Sequence, residues 1–254
     1  MLNLSEKHSM IQKIAEKIAK EKVAPRAKEI DSTGAFPWDL IDVYKKHGFL
    51  YLMLPERFGG LDGDITSLCL VTEELAKVSG ASSLIPLAHH VGVLPIMVAA
   101  NDEQQEYLYN KLIDPEKMYI VAFCLPQPQA GSDASHMATS VVKDGNYYYM
   151  NGKKSMITNG ANADLYTVFA TTNPKARTKG ISAFYVERDY PGVIIGKSED
   201  KLGMIGSDIT EIMFENVRLT KDNLLGKEGQ GWDIATVSYI HLTLTTIYSV
   251  EDSV

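Results

Sequence analysis

Phe123-Cys124-Leu125-Pro126-Gln127-Pro128-Gln129-Ala130-Gly131-Ser132-Asp133 and, further on, Asn151-Gly152-Lys153-Lys154-Ser155-Met156-Ile157-Thr158-Asn159-Gly160 are the stretches whose reading decides the fold. The first is an apolar strand breaking into a Pro-, Ala- and Gly-rich loop that ends on a hydroxyl and a carboxylate. Such a loop exposes backbone N–H groups in a concave turn where an anionic or polar ligand can sit. Between the two stretches the spacing predicts paired hairpins: strands at 138–143 and 146–150 around Asp144-Gly145, then 147–150 and 153–158 around Asn151-Gly152. Asp-Gly and Asn-Gly between β-rich runs supply the positive φ that tight turns need. The meander brings the 127–133 loop and the 156–158 strand onto one sheet as neighbours at one rim.

Working outward, the period changes at Met118. Residues 119–125, 165–172, 181–187, 193–197 and 211–219 are β-branched or aromatic runs separated by Gly, Pro or Asn. They predict an all-β domain, sandwich or barrel. Upstream the pattern is helical. Ser5 is placed to cap a helix with Ile11, Ile14, Ala15 and Ile18 on one face, ending before Gly34. Further helices are expected at 38–47, at 67–79, from Ser82 or Ser83 to Ala100, and at 103–113 behind an Asn101 cap. Past Gly231 the helical pattern returns over 232–250. The fold class is α+β: helical domain 1–117, β domain 118–228, and a single helix in 229–254.

Composition bounds the function. The chain has 254 residues, 45% hydrophobic and 22% charged, ordinary for a soluble globular protein. Its net charge of −7 argues against a nucleic-acid partner. Cys69 and Cys124 lack metal-ligand spacing and read as two buried thiols in a reducing compartment. The N-terminus has no signal-peptide core, and the apolar run 84–100 is short of a membrane span and broken by His89, His90, Pro86 and Pro95. The chain reads as cytoplasmic. No Gly-x-Gly-x-x-Gly follows a strand, and 192–198 is a strand rather than a P-loop. Ser140 and Lys143 point to opposite faces of a strand. His89 and His90, adjacent on a helix, cannot share a metal.

Together the two opening motifs resemble the middle domain of the acyl-CoA dehydrogenases. That family carries aromatic-Cys-x-Thr-Glu-Pro-x-x-Gly-Ser-Asp, then Asn-Gly-x-Lys-x-Trp-Ile-Thr-Asn-Gly. Here Met156 stands where the family usually has Trp, and Pro126-Gln127 replaces Thr-Glu. Pro55-Glu56-Arg57-Phe58-Gly59-Gly60, Asp200-Lys201-Leu202-Gly203-Met204, Phe214-Glu215-Asn216-Val217 and the glycine-rich 226–232 turn follow in family order. It is the ordered set that makes the match specific.

The resemblance implies FAD as cofactor, an acyl-CoA thioester as substrate and an electron-transfer flavoprotein as partner. It places flavin contacts at Phe123, Leu125 and Pro126, and at Gly131 and Ser132 near the pyrophosphate. Thr158 would donate toward flavin N5, with Met156 and Ile157 covering the ring face; hydrogen bonds and an apolar face tune a hydride acceptor. Pro126 removes both a hydroxyl and an N–H that the family's Thr supplies. Ser132 also falls to the substrate, as does the segment holding His241 and Thr243, where the family's Asp-x-x-Arg pattern is not kept.

Abstraction of the α-proton needs a carboxylate base, and none is found. The matching helix position is Leu242. Glu251, nine residues on, falls on the opposite helix face, and a lone helical His241 reads as structural. The family's terminal helical bundle is represented by its first helix only. Its apolar face (Ile234, Val237, Ile240 or His241, Leu244, Ile247) is expected to lack a partner within the chain and to pack on another copy, giving a homo-oligomer. Two other readings accompany the dehydrogenase: a catalytically silent homologue acting as a binding or assembly partner, and a flavin enzyme of the same fold with another substrate, such as a monooxygenase.

Overall fold

The computed structural model describes residues 4–128 and 133–243, with side chains of the last helix up to Val237. Helix α1 (Glu6–Ile18) starts where Ser5 accepts from the His8 N–H. It runs through a π-helical segment, Ala19–Val23, into α2 (Ala24–Thr33), ended by Gly34 at φ 68°. Pro25 explains the π segment: it lacks an N–H and its ring crowds the carbonyl one turn back, so the ladder widens there. Helix α3 (Trp38–Lys46) follows.

Helix α4 (Ile65–Ala76) is capped by Asp64 and α5 (Gly80–Ala99) by Ser79. Both helices therefore start earlier than the sequence pattern suggests, because the capping side chain precedes the first apolar residue. Helix α6 (Asp102–Ile113) carries the expected Asn101 cap, closed by Gln104 as a capping box. Cys69 corrects the expectation of two buried thiols. Leu68, Leu70, Val71 and Leu75 take the inward face of α4, leaving Cys69 exposed, whereas Cys124 is buried.

Strands β1 (Val121–Cys124), β2 (Ser140–Asp144), β3 (Tyr147–Thr158), β4 (Leu165–Thr171), β5 (Ile181–Glu187), β6 (Val193–Ser198), β7 (Ile209–Thr220) and β8 (Leu224–Leu225) form one sheet. The order is β6-β7-β3-β2-β4-β5-β8, with β1 parallel to β4. Its end strands, β6 and β8, are not paired with each other among the described residues, and β2 joins β4 through the single pair Ser140–Thr171; the all-β middle domain expected from sequence is present.

One of the two expected hairpins is present. Asp144 pairs with Tyr147 across a turn in which Gly145 has φ 58°. Asn151-Gly152, by contrast, lies inside β3. The long β7 pairs along the whole of β3 and draws it straight through, with a bulge between Met150 and Gly152. Asn151 Oδ1 accepts from the Asn216 N–H at 2.8 Å, tying that bulge to β7.

Gly152 is needed for proximity and conformation: φ is 141° and an added Cβ would lie 2.6 Å from Thr139 Cα. Gly152→Ala is expected to destabilise the protein by about 2–4 kcal/mol through overpacking and backbone strain. A change below about 0.5 kcal/mol in urea unfolding, within the ordinary surface range, would show that this approach relaxes freely.

The helical half is docked through α5. Gly92 lets it approach β1, since a Cβ there would meet Val121 at 2.9 Å, and the Thr167 hydroxyl donates to the Gly92 carbonyl at 3.1 Å. His89 Nδ1 accepts from the Val121 N–H while Nε2–H donates to the Leu50 carbonyl, and His90 Nε2–H donates to the Phe49 carbonyl. Helix α5 is long and apolar enough to cross a membrane but is mostly buried in the fold. Helix α7 (Gly231–Thr243) packs Ile234 and Ala235 against α5 and β5. That corrects the expectation of an unpartnered face at Ile234; positions 244–250 of the expected helix lie outside the described residues.

Candidate functional site

The two opening motifs meet at one rim. β3 alternates inward at Tyr148, Met150 and Lys154. A bulge against β7 between Lys154 and Ile157 then shifts the phase, so the next inward residue is Ile157. Bulges of this kind re-aim side chains at the edges of functional surfaces. Met156, at φ 58°, is thrust outward and 59% exposed. A non-glycine residue in the left-handed region costs about 1 kcal/mol or more and persists where its surroundings over-determine it. Thr158 is half-buried beside it, and no hydrogen bond among the described residues uses its hydroxyl.

The loop that follows β1 is held from beneath at both feet. Lys154 Nζ donates to the Leu125 carbonyl at 3.0 Å, and the Ser155 N–H to the Pro126 carbonyl at 3.2 Å. On the return, the Thr139 hydroxyl donates to the Lys153 carbonyl at 3.1 Å. Gln127, only 3% exposed, ties the feet together. Its Nε2 donates to the His136 carbonyl, and its Oε1 accepts from the Ala138 and Thr139 N–H groups. The outer part is shaped by Asp133, which accepts from Ser135 and from His136 Nδ1–H, while Arg177 donates to His136 Nε2 at 2.9 Å. The Ser135 hydroxyl, then His136, hold the Asp133 carboxyl below its usual range.

The expected site residues separate as follows. Phe123 and Pro126 are half-buried at the rim with Met156 and Thr158, and the Phe123 ring lies tilted against that of Phe169, centroids 5.1 Å apart. Leu125 and Ile157 are buried, their side chains packed in the core. The bulge turns Ile157 inward, so its side chain lies in the core rather than at the rim face where it was expected. Gly131 and Ser132 lie outside the described residues, as do the side chains of His241 and Thr243.

Lys154 and Gln127 were missed as site residues. The signal for Lys154 was present, since a lysine follows Tyr148 and Met150 in the inward phase. For Gln127 there was none, because its bonds close a loop whose return path sequence does not show. Among the described residues no three His, Cys, Asp or Glu side chains could hold a metal.

The donor set fits a flat, largely apolar ring with a polar edge: an outward Met, an aromatic edge, a proline and one hydroxyl unused among the described residues. Residues 5–116 match the model of the acyl-CoA dehydrogenase N-terminal domain, and residues 122–217 that of the acyl-CoA dehydrogenase middle domain. The chain is 38% identical over 235 residues to an acyl-CoA dehydrogenase of Bacillus subtilis, covering 92% of this chain and 62% of that protein. It is 36% identical over 236 residues to a short-chain specific acyl-CoA dehydrogenase of Clostridium acetobutylicum, covering 92% and 61%.

Among solved structures, butyryl-CoA dehydrogenase from Megasphaera elsdenii superposes with a TM-score of 0.89 at 34% identity, covering 95% of this chain and 64% of that one. The FAD complex of PigA does so at 0.87 and 28%, covering 94% and 63%. The chain thus spans less than two thirds of the length of these relatives. Two family models in succession, over a fold with the family's order of helices, sheet and helix, show that this chain belongs to the acyl-CoA dehydrogenase family.

Proposed function

We propose that the chain is the flavin-holding part of an acyl-CoA dehydrogenase, binding FAD at the rim formed by the loop after β1 and the bulged end of β3. The observation that carries this reading is the juxtaposition of a doubly clamped loop foot, Leu125 and Pro126 on Lys154 and Ser155, with an outward Met156 and a Thr158 hydroxyl that no other described residue uses. When bound, FAD supplies the hydride acceptor for α,β-dehydrogenation of an acyl-CoA thioester. Met156 shields one face from water, Thr158 orients a polar edge, and Lys154 with Gln127 holds the loop so that neither must be ordered on binding. Gly131 and Ser132 take the pyrophosphate and Ser132 the substrate, with the segment of His241 and Thr243 as a further substrate contact.

Electrons pass to an electron-transfer flavoprotein, and the protein works in the cytoplasm as a homo-oligomer. The division 1–117, 118–228 and 229–254 corresponds to a helical shell, the flavin sheet and the start of a further helical unit. Titration with FAD tests the reading: a stoichiometric rise in flavin visible absorbance is expected, and a sample that stays colourless would defeat it.

Pro126 favours a second reading, since it offers the cofactor neither hydroxyl nor N–H: a silent homologue that assembles with partners. Anaerobic bleaching of bound flavin by an acyl-CoA separates the two, and reduction rejects the silent one.

A further inference from the structure

Lys154 is the group whose burial the fold alone does not explain. It is completely buried among the largest core side chains, on a strand position flanked inward by Met150 and Ile157. A methionine or leucine there would have no charge to desolvate, whereas an amine must shed its water. Among the described residues its compensation is a single carbonyl, that of Leu125. Among the described residues no carboxylate pairs with it; the titratable group facing it is the Cys124 thiol on β1, and its ladder partner on β7 is Ile212. Burial pushes the Lys154 amine down to about 7 and the Cys124 thiol up, so Cys124 stays neutral while Lys154 can gain or lose a proton near neutrality. A buried lysine with one neutral acceptor is poised to respond to charge appearing nearby.

Taking the flavin reading above as its basis, we propose that Lys154 is a positioning residue that sets the reduction potential of the flavin held at this rim. It fixes the Leu125 peptide from beneath and takes up a proton to offset the charge the flavin gains on reduction. In the step concerned, a substrate C–H bond breaks and its hydrogen moves with both electrons to the flavin, which becomes singly negative. The adjacent carbon gives up a proton to solvent water as the C=C bond forms, so one proton is released for the one that Lys154 takes up. Protonation of the Lys154 amine from water then restores neutrality inside the protein. No further oxidant or reductant enters.

The test is a reductive titration of the FAD-loaded 254-residue chain against a reference dye, for the wild type, Lys154→Met and Lys154→Arg. Lys154→Met matches the chain in shape without the amine. It is expected to lose about tenfold in its preference for reduced over oxidised flavin, a fall of about 30 mV for a two-electron couple. Lys154→Arg, which carries its charge in both flavin states, is expected to keep the preference for reduced flavin while losing the proton taken up on reduction. A purely structural role would lower the melting temperature of Lys154→Met and leave the potential unmoved, which overturns the proposal while the flavin reading stands. Failure of the wild type to hold FAD brings down both.

Should Lys154→Met not fold, the 15N resonance of the Lys154 amine in the wild type is followed while bound flavin is reduced with dithionite. Movement of the signal supports the coupling, and a signal that does not respond overturns it.

Discussion

Stability is expected to fall by about 4 kcal/mol between pH 7 and pH 5, from two histidines that the fold keeps neutral. His89 and His90 are wholly buried on α5, and burial lowers them from the usual 6.5 to about 3 and about 4. For His89 the hydrogen bonds demand the same state: Nδ1 accepts from the Val121 N–H, so it carries no proton, while Nε2 donates to Leu50.

The sign follows from linkage. Above pH 6.5 folded and unfolded chains both hold neutral imidazoles, and the stability is fully present. As pH falls through 6.5 the unfolded chain takes up two protons that the folded chain refuses until about pH 4 and 3. Stability is therefore lost at about 2.7 kcal/mol per pH unit across that window. Asp39, Asp64 and Asp133 are held below the usual carboxylate range and withdraw their stabilisation only at more acid pH. Asp164 and Asp208, raised by burial, oppose the trend in part.

Against a net stability of about 5–15 kcal/mol, that loss leaves about 1–11 kcal/mol at pH 5, so the acid transition moves to a higher pH than carboxylates alone would set. Urea midpoints at pH 7 and 5 measure it. Equal values would mean that the imidazoles charge inside the fold. A His89→Gln, His90→Leu double variant should flatten the pH dependence at a cost in absolute stability.

Gln127→Leu is expected to cost about 2–4 kcal/mol, since it leaves the His136 carbonyl and the Ala138 and Thr139 N–H groups without their buried partner. These groups form the base of the loop that carries Gly131 and Ser132, so the damage should reach further than the melting temperature. FAD affinity is expected to fall at least tenfold, about 1.4 kcal/mol, because the loop must then be ordered on binding. Gln127→Glu keeps the acceptor but places a carboxylate oxygen against the His136 carbonyl at neutral pH, and should fall between wild type and Gln127→Leu. Paired measurements of unfolding and FAD titration decide the matter: if the Leu variant binds FAD as the wild type does, the loop is held by its other feet, at Lys154 and Ser155, and Gln127 only fills space.

Much of this molecule is written locally. The Ser5 and Asn101 caps, the Gly34 stop and the Asp144-Gly145 turn all depend on residues within a turn of one another. The resemblance likewise rests on short motifs in a fixed order, and the feet of those two motifs meet, Leu125 and Pro126 against Lys154 and Ser155.

What sequence could not decide is which strand lies opposite which, and everything that hangs on it. Asn151-Gly152 has the local chemistry of a turn, yet β7 runs alongside and makes it a bulge. The bulge three residues later reverses the inward phase, sending Met156 out and Ile157 in. Lys154 and Gln127 acquire their roles from carbonyls and N–H groups brought to them by the sheet and the loop's return. Turns and caps are settled by hydrogen bonds between near neighbours. Register, burial and charge state are settled by distant partners, and only the assembled tertiary structure supplies those.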